Sequence, residues 1–328
     1  MFIDCSYRCS SGTCFYNREK EIEWLIDRVY RSAYVIVWGP RNIGKSELLK
    51  YLSWRLGREG FCVIYIDCRE AITSDLVTIH GFRDMTELFR EAIELIGLGK
   101  LSKAYDLVSS VVRRVRASGV LWVFDEAHRL NGYDRVLEVL IKKTIYTFHE
   151  KPFSTIISSS EGWFIRSNVV YSLREYGAQD LLVESMDKEV FIEYARELFR
   201  VYGRSPDVPV DILYNEFISG NPGYLVKLLS YRSVEEWIES VREWFIEVVN
   251  RVSIETGISV RDYLRFISST PMELNALSLD PVVKRVMDKL MEYNIVYYVL
   301  KDTMYHVKPQ LPVYRKIAIE LLDRLHES

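Results

Sequence analysis

The octapeptide GPRNIGKS, Gly39 to Ser46, constrains the fold of this chain more than any other stretch, because a uniformly apolar run precedes it and an amphipathic one follows. It satisfies the spacing G-x-x-x-x-G-K-[ST]. Glycines at that spacing let successive backbone N–H groups turn into one concavity, and a helix beginning there adds its positive end to the same anion site. AYVIVWG suits a strand buried on both faces of a parallel sheet, and SELLKYLSWRLGREG suits a helix closed by glycine. Together they form the pattern of a phosphate cradle. Lys45 would reach the β- and γ-phosphates of a nucleotide, and Ser46 would place its hydroxyl on Mg2+, a cation that takes oxygen ligands. Gly39, Pro40, Arg41, Asn42, Ile43, Gly44, Lys45, Ser46 and Glu47 are therefore the expected nucleotide contacts.

The rest of the first half repeats the alternation of strand and helix. FCVIYID, VLWVFDE and FSTIISSS read as buried strands, and helical patterns fall at Met85 to Leu98, Leu101 to Ser118 and residues 133–149. Such alternation implies right-handed crossovers and a three-layer α/β domain of the P-loop NTPase type with a parallel sheet, over residues 1–182. VLWVFDEAH supplies the acids that this chemistry needs at a strand end: Asp125 to hold Mg2+ through water and Glu126 to polarise the attacking water. The letters DEAH also match a helicase box, but the other helicase motifs are missing from the sequence, and His128 reads as a surface or capping residue. Ser158, Ser159 and Ser160 end the next strand. Ser159 is the candidate for sensing a γ-phosphate, and turn formation is the alternative reading of all three.

After Leu182 the pattern changes to helices separated by GRSPDVPVD and SGNPG, which suggests a helical lid over residues 183–255. Residues 256–328 read as three short helices, RDYLRFIS, MELNALS and DPVVKRVMDKLMEYN, followed by two strands about a Lys-Asp-Thr turn. That is the order of a winged helix-turn-helix. Its expected recognition helix, Pro281 to Tyr293, carries Lys284, Arg285 and Lys289 beside Asp288 and Glu292, a weak footprint that favours duplex DNA slightly over a protein partner, with packing on the ATPase as a regulatory arm the third reading.

Composition limits what else the chain can be. A net charge of −3 with 27% charged residues argues against binding nucleic acid by bulk positive charge. No apolar stretch approaches the roughly 20 residues that cross a bilayer, and MFIDCSYRCS lacks the pattern of a secretory signal, so a cytoplasmic protein without a membrane partner is expected. The five cysteines are odd in number and do not form a secreted disulfide framework; Cys5, Cys9 and Cys14 read as ordinary thiols ahead of a metal site. Only two glutamines occur, Gln179 and Gln310, against 43 Lys plus Arg, a balance found in heat-adapted proteins.

Several segments in order, FYNREKEIEWL, GPRNIGKS, YIDCRE, LWVFDEAH, the serine-ended strand and SGNPGYL, resemble the archaeal ATPase family, within the signal-transducing, AAA-related ATPases. The resemblance implies ATP or ADP as cofactor with Mg2+. It implies that Asn17 and Arg18 lie near the base and ribose, where the residues themselves also read as a helix N-terminus. It implies too that Pro222 belongs to the helical lid, where it also reads as a helix-start proline. One departure stands out: where such relatives carry a glycine-arginine pair before the lid, this chain has Tyr176-Gly177-Ala178-Gln179, leaving Arg166 and Arg174 as the nearest cations. The expected function is an ATP-binding, ATP-hydrolysing switch with slow turnover. The alternative is a DNA-binding regulator that keeps nucleotide as a structural cofactor; a small-molecule kinase is the third reading.

Overall fold

The computed structural model describes residues 2–69, 77–80, 103, 117–129, 151–160, 167–274, 281–301 and 304–327. The expected helices at Met85 to Leu98 and 133–149, most of that at Leu101 to Ser118, Arg166, and Asp302 and Thr303 of the expected turn lie outside these residues.

The central sheet contains β3 (Tyr34–Trp38), β4 (Phe61–Asp67), β5 (Val77–His80), β6 (Gly119–Asp125), β7 (Phe153–Ser159) and β8 (Gln179–Leu182), in the order β5-β4-β6-β7-β3-β8. Five of the strands run parallel; β5 pairs with β4 in the opposite sense. β7 therefore separates β3, which leads into GPRNIGKS, from β6, which ends in Asp125. The apolar runs are uniform because both faces of the sheet are covered. Alternate residues Val35, Val37, Val63, Tyr65, Leu121 and Val123 meet α1 (Glu19–Tyr30) and α2 (Lys45–Arg58) through Leu25, Val29, Leu48, Leu49 and Leu52. Each such leucine, wholly buried, contributes about 1.5–3 kcal/mol through loss of apolar surface from water. Trp122 and Phe124 occupy the opposite parity and stack with centroids 5.9 Å apart.

The helix expected from Asn17 begins two residues later. Asn17 and Arg18 both sit in the left-handed region, with φ of 54° and 73°, so the chain turns there before α1 starts.

The N-terminus holds a hairpin, β1 (Ile3–Arg8) and β2 (Cys14–Tyr16), and a Cys5–Cys14 disulfide, which corrects the expectation of ordinary thiols at both positions. The cause is register: Asp4 pairs with Phe15, which brings the next residue inward on each strand together. Cys9, Cys62 and Cys68 are free, and burial pushes their thiols up, to about 12 for Cys9 and Cys62. The hairpin is attached to the core by Phe15, which stacks on Tyr51 at 4.1 Å, and by the Tyr51 hydroxyl, which donates to Asp4 at 2.7 Å.

α3 (Asn168–Glu175) leads into β8, and beyond β8 come α4 (Lys188–Val201), a π-helical turn at Leu213–Ile218, α5 (Pro222–Leu228) and α6 (Val234–Thr256). Ser233 caps α6 by accepting from Glu236 N, and Gly257, at φ 70°, ends it. Then follow α7 (Val260–Ser268), β9 (Met272–Leu274), α8 (Pro281–Glu292), β10 (Val296–Lys301), β11 (Met304–Pro309) and α9 (Pro312–Glu327), with the strands in the order β10-β11-β9. The expected helix at MELNALS is corrected at its first three residues, which form β9. Thr270 precedes Pro271 and so favours extended backbone, and β11 offers an edge on which Leu274 pairs with Tyr305. One apolar core runs through both regions, from Phe191, Leu198 and Leu225 through Phe245 and Val252 to Leu264, Met287, Leu290 and Ile317.

Candidate active site

The GPRNIGKS loop leaves the C-terminal end of β3 and enters α2 at Lys45. Gly39 has φ 149°, and a Cβ there would lie 2.4 Å from the Val183 carbonyl oxygen, so no other residue fits. Asn42 and Gly44 take φ of 63° and 100°. These turns leave the carbonyls from Gly39 to Ile43 pointing at protein donors. Lys45 Nζ, 3% exposed as a residue, donates to Gly39 O at 3.0 Å and Pro40 O at 2.9 Å. Arg41 O accepts from Asn221 Nδ2 at 2.9 Å and from Gln310 Nε2 at 2.8 Å. Asn42 O accepts from Gly223 N at 3.0 Å, and Ile43 O from Arg18 Nη2 at 3.2 Å. A trans peptide points its N–H opposite its C=O. Fixing the Arg41, Asn42 and Ile43 oxygens therefore fixes the N–H groups of Asn42, Ile43 and Gly44 on the other side of the loop, as an anion cradle requires.

Ser46 and Glu47 are half-buried in the first turn of α2. Ser10 of the hairpin holds Glu47, through its backbone N–H at 3.2 Å and through its hydroxyl. Glu47, expected among the nucleotide contacts, is thus engaged by the N-terminal segment. Arg18 is likewise committed. Besides Ile43 O it donates to Glu184 O at 2.6 Å and to Glu21 at 2.9 Å, so its guanidinium braces the loop from behind. Asn17, half-buried, precedes it, with its N–H donated to Phe2 O at 2.8 Å. Pro222 opens α5 directly over the loop: a Cβ on Gly44 would come 3.7 Å from its ring.

Asp125 is wholly buried at the end of β6. Its carboxylate accepts from the Tyr65 hydroxyl of β4 at 2.6 Å and from the Ser158 hydroxyl of β7, so both neighbouring strands orient it. Burial and the Asp125 charge push the Tyr65 hydroxyl far up, so it stays a donor. Glu126 follows at φ 55°, a conformation uncommon for a residue with a side chain and found where sites store backbone strain. Its N–H donates to Ser158 Oγ at 3.1 Å. Its carboxylate accepts from Ser160 N at 3.1 Å and Ser160 Oγ at 2.7 Å. Burial works to raise that carboxyl, but the Lys45 charge, the Ser160 bonds and His128 outweigh it, leaving Glu126 below the ordinary range and ionised.

The three serines thus take different positions around the two acids. Ser158 bridges Asp125 and Glu126, Ser160 holds Glu126, and Ser159 Oγ lies 2.9 Å from His128 Nδ1. The reading of His128 as a surface residue is corrected: its side chain is nearly buried and stands 3.6 Å from the Glu126 carboxylate. Burial lowers it to about 4, against the pull of Glu126 and with help from Arg129, Lys45 and Arg41, so the imidazole is neutral. Arg174 is paired with Asp180 at 2.9 Å, away from a role at the loop. Sequence reasoning missed Tyr65, Ser158 as the acid's partner, and Gln310. The first two could have been found by aligning strand ends in register, since Phe124 pairs with Ile157 and Tyr65 with Val123.

The donor set fits a nucleotide with Mg2+: a glycine-turned cradle, a buried ammonium, and the hard oxygens of Ser46 and Asp125. Comparison with known proteins agrees as to the nucleotide. Across 90% of this chain and 92% of its own length, an uncharacterised ATP-binding protein of Methanocaldococcus jannaschii is 22% identical. A Walker-type ATPase of Pyrococcus abyssi superposes with a TM-score of 0.59 at 17% identity, over 93% of this chain and 96% of that one. The ORC2 protein of Aeropyrum pernix gives 0.51 at 12% identity, over 99% and 98%. These two share the fold. A family model for an ATPase domain predominantly from Archaea matches residues 15–228, and the chain belongs to that archaeal ATPase family.

Proposed function

We propose that this chain is an ATP-hydrolysing molecular switch: a P-loop core at residues 1–182 passes the state of its nucleotide to a helical lid at 183–255 and a winged helix-turn-helix at 256–328. The observation that carries the reading is the loop whose Arg41, Asn42 and Ile43 carbonyls are held by Asn221, Gln310, Gly223 and Arg18, which turns the N–H groups of the same peptides to the other side, beside the buried Lys45 ammonium, as an anion site needs. In support, the Methanocaldococcus relative is described as ATP-binding, and the Aeropyrum protein was solved in ADPNP and ADP complexes.

Lys45 would exchange the Gly39 and Pro40 carbonyls for the β- and γ-phosphates. Ser46 and Asp125 would hold Mg2+, which when bound neutralises charge on the phosphates. Glu126 orients water and takes its proton as the water oxygen bonds to the γ-phosphorus and the bond to the bridging oxygen breaks, leaving ADP and phosphate. Ser160 would have to share or release Glu126 for this step, and Ser159 would sense the γ-phosphate only by letting go of His128. Arg18 supports the loop, and Asn17 is left as the candidate contact to base and ribose.

The lid's grip is close enough to test. A Cβ on Gly223 would stand 2.6 Å from Asn42 O, so Gly223→Ala pushes α5 off the loop. Overpacking of this kind costs about 1–3 kcal/mol, and an ADP affinity lowered about tenfold is expected by calorimetry. An unchanged affinity would mean that the lid does not report on the loop.

The winged helix suits a protein partner better than DNA. Lys289 of α8 is bound by Glu255 at 3.1 Å and Glu292 at 2.9 Å, and Lys316 by Glu216 at 2.9 Å, so these cations are already neutralised. The exposed Lys284 and Arg285 favour the alternative of a DNA-binding regulator with structural nucleotide. ATP turnover titrated with duplex DNA decides between them: turnover unchanged within about twofold is expected of the switch. Tight, salt-sensitive duplex binding without hydrolysis would replace it by the regulator.

A further inference from the structure

Two side-chain amides meet on a single backbone oxygen of the phosphate loop. Asn221 Nδ2 and Gln310 Nε2 both donate to Arg41 O, at 2.9 and 2.8 Å, and both side chains are buried, their residues 1% and 6% exposed. Asn221 caps α5, accepting from Tyr224 N at 3.3 Å. Gln310 comes from the far end of the chain. It follows β11, and its own N–H donates to Ile295 O at 2.8 Å, so it is fixed to the base of β10. Tyr224 of α5 and Tyr314 of α9 are buried in the same apolar core, which ties the lid to the C-terminal region. The C-terminal region thus reaches the loop directly as well as through the lid.

The peptide that carries Arg41 O also carries Asn42 N–H, which points the opposite way. Whatever holds that oxygen sets the direction of an N–H in the cradle, and Asn42, at φ 63°, has little torsional room to compensate. We propose that Gln310 is a positioning residue of the phosphate loop, by which docking of the C-terminal region strengthens retention of the nucleotide's phosphates. This rests on the nucleotide reading above and deepens it, because it names the atom through which the loop and the C-terminal region are coupled. The coupling is reciprocal: a partner that pulls residues 256–328 away loosens the nucleotide by the same factor by which the nucleotide opposes the pull.

The test is release of a fluorescent N-methylanthraniloyl ADP from the full-length chain, chased with ADP, at pH 8 and at pH 5.5. Gln310→Glu keeps shape and length but turns the donor into a carboxylate facing a carbonyl. Release about tenfold faster than wild type is expected at pH 8. A buried carboxyl facing an acceptor has a raised pKa, so at pH 5.5 its neutral O–H can donate, and the ratio to wild type should fall to about twofold. Gln310→Met, which lacks the donor and adds no charge, covers the case in which Gln310→Glu does not fold; about threefold faster release at both pH values is expected of it. A purely packing role predicts no dependence on pH, so a pH-independent ratio for Gln310→Glu, or a ratio of one for Gln310→Met, overturns the proposal. A wild-type chain that binds no fluorescent ADP overturns the nucleotide reading itself, and this coupling with it.

Discussion

Lys45→Ala abolishes nucleotide retention: affinity for ATP and ADP is expected to fall at least about a hundredfold, equivalent to about 2.7 kcal/mol. The ammonium is buried and bonded to Gly39 O and Pro40 O, and against phosphate the same group makes charge-assisted bonds worth about 1.5–3 kcal/mol each. Calorimetry on the full chain checks this, with a thermal melt to establish that the variant is folded. An affinity within threefold of wild type would remove the loop from the site.

The second large effect separates binding from chemistry. Glu126→Gln retains ATP affinity within a few-fold and loses turnover by about 10²–10⁴, the usual contribution of a positioned general base. The glutamine carbonyl can still accept from Ser160 N and Oγ, so the local fold survives and only the proton acceptor is lost. Phosphate release beside equilibrium ATP binding reads both quantities. Unchanged turnover would end the assignment of Glu126 as the base.

What the sequence made legible was local. The loop, α2 and the strand ending in Asp125 and Glu126 each lie within about a dozen residues, where apolar periodicity and glycine spacing determine structure directly. The partners of those residues come from long range. Which serine meets which acid depends on the stagger of β6 against β7, and the burial of His128 depends on the same packing. Gln310 lies 269 residues from the carbonyl it holds, and no pattern near it marks it out. β9 was missed because MEL carries no strand periodicity of its own; it exists because β11 offers an edge. The Cys5–Cys14 pair depends on a hairpin register that spacing alone leaves open.

That hairpin lies almost wholly ahead of the family domain, which begins at residue 15. Yet it provides Arg8 Nη1 and Cys14 N to the buried carboxylate of Glu197 on α4, each at 3.2 Å, and Ser10 to Glu47 beside the phosphate loop. The start of the family domain is therefore not a point at which this molecule can be divided. A chain shortened to residue 15 would leave the buried Glu197 carboxylate with Arg200 at 3.9 Å in place of two hydrogen bonds at 3.2 Å, so the segment ahead of the family domain belongs to the folded unit.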